Sequence, residues 1–303
     1  MPSWGEVLTS LKNTPNPLDN MRKKYLSIMH EYTQRNIIAY YSGYLQKPNL
    51  DGCGIDDNDK NAFMQAVCGM DRSKGLDLIL HTPGGQIAAA ESLVNYLKAL
   101  FGNDIRTFVP QNAMSAGTMM ALSTKEIIMG KQSSLGPIDP QFGGMSCAGI
   151  IEEFDEACKA VSDNPKMAAI WGPIISKYHP TFIGDCKKAI EWSDVIVKKW
   201  LTENMFREYP DKENRADTVV ARLSSHNKTY SHSRHIPANE LLALGVNVRM
   251  LEGMDDREIG GCKDLQDCVL TVHHSYMHTF SSSTAIKIVE SHSGNTMIMT
   301  AAK

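Results

Sequence analysis

No stretch of this 303-residue chain approaches the roughly 18 uncharged apolar residues that a membrane-spanning helix needs, so none is expected. Charge of either sign is in short excess: 31 Lys and Arg stand against 34 Asp and Glu, a net −3, which excludes a global basic field for nucleic acid. Cysteine is sparse. The seven, at 53, 68, 147, 158, 186, 262 and 268, lack tight metal-ligand spacing. An odd, scattered set reads as reduced thiols of a cytoplasmic protein, most of them packing residues, and no metal is expected. Neither a P-loop nor a G-x-G-x-x-G fingerprint occurs, so no nucleotide cofactor or hydride transfer is expected, and any ATP-driven unfolding would belong to a partner chain. The first thirty residues carry Lys12, Arg22, Lys23 and Lys24 without an apolar core run, so no secretory signal is expected either.

What is present is ordinary for a globular protein: 42% hydrophobic and 21% charged residues, enough for a large core without disulfides. The 17 methionines read as gap-fillers of that core. Residues 1–35 carry apolar positions at helical spacing (Val7, Leu8, Leu11, then Met21, Tyr25, Leu26, Met29), broken at Pro15–Pro17. This arm is expected to serve packing or assembly. Asn36-Ile-Ile-Ala-Tyr-Tyr41 reads as a strand, and Asp57 as the cap of a helix reaching about Gly69.

Leu76–Leu80, Ile105–Val109 and Glu126–Met129 are apolar runs of buried-strand length. The first two lead through glycine-bearing loops into helices, the place where open α/β sheets bind ligands. Beyond Pro140, residues 148–161, 185–206 and 211–222 are helical in spacing, and 224–235 is a polar loop. Pro237–Leu244 is a short helix stopped by Gly245, followed by a strand at 246–251. The tail carries the apolar runs Val269–Val272 and Ala285–Val289, and the last ten residues are expected to fray.

Two segments can carry chemistry. In Thr82-Pro-Gly-Gly85 a double glycine after a strand permits positive φ and exposes bare N–H groups. Such donors can stabilise a developing oxyanion; taken alone, the segment is a tight strand-to-helix turn. Ser115, flanked by Ala116 and Gly117, stands at a helix start, where the dipole favours anionic intermediates. Alone it reads as an N-cap serine.

Together, Thr82-Pro-Gly-Gly85, Ser115-Ala-Gly-Thr118 and Ser134-Leu-Gly-Pro-Ile-Asp139 resemble the ClpP and signal-peptide-peptidase-A clan, and within it the serine dehydrogenase proteinases. Asn36–Tyr41 and Ile236–Val248 look like the same family, so the resemblance runs from about residue 35 to 251. It implies an α/β fold of the ClpP/crotonase-like type, a spiral of ββα units, here with a helical N-terminal arm and helical insertions. On this view 1–35 is the arm, 36–259 the peptidase domain and 260–303 an extension packed on it. The resemblance makes Ser115 the nucleophile, gives the oxyanion hole to the N–H groups of Gly85 and Ala116, and places substrate against Gly84, Leu135 and Gly136. It also implies that the segment 133–138 pairs with an extended peptide as an added strand, interrupted at Pro137. Peptide or protein substrates and a homo-oligomer follow from it, with an unfoldase or membrane-protein partner left open.

The general base is less direct. The ClpP spacing from serine to histidine falls here on Leu135-Gly-Pro-Ile-Asp-Pro-Gln141, which has no histidine. The closer family's order of Ser, Asp, His makes Asp139 the acid, although it reads equally as a turn-capping aspartate. It makes His232 the base, with His235, His226 and His179 as alternatives. A serine–lysine dyad through Lys159 or Lys166 is the other mechanism the clan offers. Two further functions share this fold: a crotonase-type enzyme acting on acyl-CoA, and a non-catalytic scaffold.

Overall fold

The computed structural model describes residues 17–48 and 50–301. Its helices are α1 (Pro17–Thr33), α2 (Asp59–Ala66), α3 (Ile87–Phe101), α4 (Ala116–Leu122), α5 (Cys147–Asp163), α6 (Ala168–Ile175), α7 (Phe182–Trp200), α8 (Lys212–Leu223), α9 (His226–Thr229), α10 (Ala238–Ala243) and α11 (Leu265–Ser282). Its strands are β1 (Asn36–Ser42), β2 (Leu76–His81), β3 (Ile105–Val109), β4 (Asn112–Ala113), β5 (Glu126–Met129), β6 (Ser134–Leu135), β7 (Gln141–Phe142), β8 (Met145–Ser146), β9 (Ile236–Pro237), β10 (Val248–Met250), β11 (Ala285–Ser291) and β12 (Thr296–Thr300).

Seven strands form one sheet in the order β10-β5-β3-β2-β1-β11-β12, parallel from β10 to β1 and antiparallel beyond. β1 and β2 are buried along their whole length, which is why their apolar runs are continuous rather than alternating. The exception inside β2, Asp77, is held by Arg35 at 2.8 Å and Arg106 at 2.6 Å. α3 turns Ala89, Ala90, Leu93, Val94, Leu97 and Phe101 into the core, one apolar stripe at helical spacing.

A second, three-stranded sheet runs β4-β6-β9. It extends the spiral: Thr82 bridges Ala113 in parallel, and β4 pairs β6 in parallel. β3 thus feeds β4 and then α4, and β5 feeds β6. This is the mixed α/β ClpP-like architecture the sequence resemblance implies.

Several expectations change. Residues 17–33 are a core layer, with Leu26, Met29 and Tyr32 buried and Arg22 bonded to Glu290 at 2.9 Å, both side chains fully buried. The remainder of the arm, 1–16, lies outside the described residues. Asp57 does not cap α2. That helix starts at Asp59, whose Oδ2 instead accepts the Asp56 N–H at 2.9 Å and the Tyr40 hydroxyl at 2.9 Å. Val269–Val272 lies within the buried helix α11. The tail does not fray at 296–300: these residues pair antiparallel with β11 as the sheet's edge. The stretch after 260 is thus woven into the central sheet. Seven of the 17 methionines are buried in the core among the described residues: Met29, Met114, Met119, Met120, Met129, Met205 and Met277.

Behind β2 lies a cluster of buried rings. His81 is 5.1 Å from His273, 5.2 Å from Tyr44 and 5.6 Å from Tyr41, centroid to centroid. Burial pushes the His81 imidazole down to about 3, with the Asn112 backbone pulling the other way. Burial, and then His81 and His274, push His273 down as well. Both rings bind fewer protons folded than unfolded, where the value is about 6.5. Their stabilisation is complete above that pH and is lost as pH falls below it, by about 1.4 kcal/mol per ring per pH unit. Urea midpoints measured from pH 7 to pH 5 should therefore fall, and His81→Phe should flatten the slope. An unchanged slope in that variant would remove His81 from the account.

Candidate active site

Ser115 immediately precedes α4 with φ +51° and ψ −119°. A non-glycine residue in such a conformation costs about 1–3 kcal/mol, and such strain gathers at functional sites. The turn is pinned by bonds from Met114 N–H to the Thr82 carbonyl (3.0 Å) and from Gly117 N–H to the Met114 carbonyl (2.8 Å). The Ser115 side chain does not cap the helix, so the N-cap alternative fails. It is half-buried and lines a cavity of about 680 Å³ together with Gly85, Met119, Asp139, Trp192 and His232.

The glycine pair closes on this serine. A Cβ at Gly84 (φ +97°) would stand 2.6 Å from Ser115 Cβ and 3.0 Å from Ala116 N, a separation only glycine avoids. At Gly85 (φ +153°) a Cβ would meet Ile55 N at 2.3 Å. Ile55 clasps the loop, donating to the Gly84 carbonyl at 2.8 Å and accepting from Gln86 N–H at 2.9 Å. The N–H groups of Gly85 and Ala116 donate to no backbone carbonyl among the described residues.

Asp139 is 1% exposed. Its Oδ1 is 2.8 Å from His232 Nδ1, and its Oδ2 is 3.5 Å from His226 Nδ1. A carboxylate can only accept, so His232 carries its proton on Nδ1 and leaves Nε2 free to accept. His235 is engaged elsewhere: its Nδ1 is 2.7 Å from Ser134 Oγ. His179 is exposed, with Nδ1 3.2 Å from the Thr181 hydroxyl. Lys159 and Lys166 are exposed, and no lysine is among the residues described around the cavity. Exposed lysines lack the desolvation a dyad base requires.

Leu135 and Gly136 do not reach the cavity. Leu135 is fully buried, and β6 is paired on both edges, with β4 and with β9. The segment therefore has no open edge at 134–135 for a peptide strand, contrary to the expectation. Gly136 N–H instead bonds Thr118 Oγ1 at 2.8 Å, behind α4.

Two contributors were not anticipated. Trp192, on α7, forms a wall of the cavity; a tryptophan on an amphipathic helix gives no cue to this. Lys287 of β11 donates to the Gly54 carbonyl at 2.9 Å and pairs with Asp56 at 3.0 Å and Asp59 at 2.8 Å. It anchors the loop whose Ile55 holds Gly84 and Gly85. A lysine inside the apolar run Ala285-Ile-Lys-Ile-Val289 was the available signal.

The fold and this cavity define a ClpP-like α/β protein with a serine set on a strained turn. The sequence profile of the ClpP-like SDH-type serine proteinases matches residues 41–251, and the chain belongs to that family. Among similar proteins is MJ1495, an uncharacterized protein of Methanocaldococcus jannaschii, 29% identical over 194 residues, 64% of this chain and 59% of that one. A second uncharacterized protein of that organism, MJ0137, is 38% identical over 102 residues, 34% of this chain and 35% of its own. The chain thus matches less than two thirds of the length of either relative. No described helix is long and apolar enough to cross a membrane.

Proposed function

We propose that this chain is a serine peptidase working through an acyl-enzyme on Ser115. The observation that carries the reading is the bond between buried Asp139 and His232 in the same cavity as the strained, uncapped Ser115. His232 Nε2 takes the hydroxyl proton as Ser115 Oγ attacks the peptide carbonyl. The N–H groups of Gly85 and Ala116 receive the oxyanion. As the C–N bond breaks, His232 returns the proton to the leaving amine, and water then releases the acyl group by the same steps. Asp139 fixes the His232 tautomer and stabilises its charged form. His226 Nδ1 stands 3.5 Å from the second carboxylate oxygen, too far to share the hydrogen-bonding role of His232. Polypeptide substrates and a homo-oligomer belong to this reading through the family likeness.

A fluorophosphonate probe, which traps activated serines, tests it. Peptide mapping should place the adduct on Ser115. A folded protein left unlabelled would overturn the proposal and favour an acyl-CoA enzyme or a scaffold on this fold.

The oxyanion loop gives a separate prediction. Gly85→Ala places one methyl group against Ile55 N and should shift the Gly85 N–H. Loss of one such donor costs about 100- to 1,000-fold in kcat. The check is steady-state turnover on a protein whose circular dichroism matches the parent. Unchanged kcat would take Gly85 out of the site.

A further inference from the structure

His232 stands between two cavities. The second, about 520 Å³, shares His232 and Gln141 with the Ser115 cavity, so the two form neighbouring stretches of one cleft. Its chemistry differs from that of the first. Glu153 is the one carboxylate described in its lining, which also holds Tyr178, Tyr230 and His226. Tyr230 is unusual twice over. It is 80% exposed, and it adopts φ +64° where it ends α9. Glycine or asparagine would end a helix there at lower cost, and burial does not explain the ring. Tyr178 stacks on Phe182 at 5.5 Å and meets Phe154 edge-on at 5.3 Å, which fixes its ring at the cavity wall.

We infer that this second cavity is a binding subsite for a cationic side chain of the polypeptide substrate, lysine or arginine, with Glu153 as its counter-ion and Tyr178 and Tyr230 as its aromatic walls. A carboxylate supplies charge-assisted hydrogen bonds to an ammonium or guanidinium group, and tyrosine rings attract a cation through their negative faces. A neutral isostere obtains neither. Because His232 is common to both cavities, a side chain seated here belongs to a residue close to the bond presented to Ser115. The inference rests on the peptidase reading.

The test is equilibrium binding to the full-length Ser115→Ala protein, which holds substrate without turnover. Fluorophore-tagged, acetylated hexapeptides with one lysine moved through an alanine background are compared with the same series carrying norleucine. At one position lysine should bind about tenfold or more tightly than norleucine. Glu153→Gln should abolish that gap and leave norleucine binding unchanged, and Tyr230→Gly should narrow it. Equal binding of the two series at every position, including no binding of either, overturns the inference, as does a lysine preference that survives Glu153→Gln. Failure of the peptidase reading is seen separately, as absent fluorophosphonate labelling of Ser115 in the parent protein.

Discussion

Replacing Ser115 by alanine is expected to lower peptide hydrolysis by on the order of a million-fold, as much as removing a whole triad. The fold should survive, because the hydroxyl neither caps α4 nor fills the core. The backbone strain makes the prediction sharper. Alanine keeps a Cβ at φ +51°, whereas glycine adopts that region freely. Ser115→Gly should therefore be as inactive as Ser115→Ala but more stable than it by about 1 kcal/mol. Hydrolysis assays and thermal melts of the two variants check both halves. Retained turnover in a pure Ser115→Ala sample would end the nucleophile assignment; equal melting points would end the claim of stored strain.

How much of this could be read from residues alone depends on how each element is stabilised. β2, β3 and β5 announce themselves because they lie inside a parallel sheet, where continuous apolar runs are required. β4, β6 and β9 do not, since strands of two residues are too short to show any period. That hid the pairing of Leu135 and hence the closed edge of β6. β12, Thr296-Met-Ile-Met-Thr300, reads as a loose tail because it is a half-exposed edge strand held mainly by its ladder to β11.

The site divides in the same way. The glycine pair and Ser115 are visible as local motifs, since each needs a specific backbone conformation within a few residues. The positive φ of Ser115 is not visible, because no side-chain type encodes it. Lys287 lies in a distant strand and acts only through the loop it clamps. The histidines pose the hardest case. His226, His232 and His235 share one polar stretch of sequence, 224–235, with a similar composition around them, so spacing cannot rank them. The fold ranks them by direction: His232 turns to Asp139 Oδ1, His226 toward Oδ2, and His235 to Ser134.

That ranking fixes the order of a mutational series. His232→Ala removes the group that would accept the Ser115 proton, and a drop of about 10⁴- to 10⁶-fold in kcat is expected, with KM little changed. His226→Ala leaves the His232–Asp139 bond in place and removes only a 3.5 Å contact to Asp139 Oδ2 that makes no hydrogen bond. A weak ion pair of this kind is worth about 0–1 kcal/mol, so the loss should be about fivefold or less. His235→Ala should cost no more than a few-fold, since Ser134 Oγ keeps Asn112 Oδ1 at 2.9 Å. Lys159→Ala should have no effect, its ammonium being in solvent. Steady-state kinetics on one peptide substrate, with folding checked for each variant, gives all four values. If His226→Ala fell furthest and His232→Ala least, the base would be the other imidazole on the same aspartate, and Asp139 would keep its role. If Lys159→Ala or Lys166→Ala abolished turnover while both histidine variants retained it, the dyad would replace the triad, and the bond from His232 to Asp139 would be structural alone.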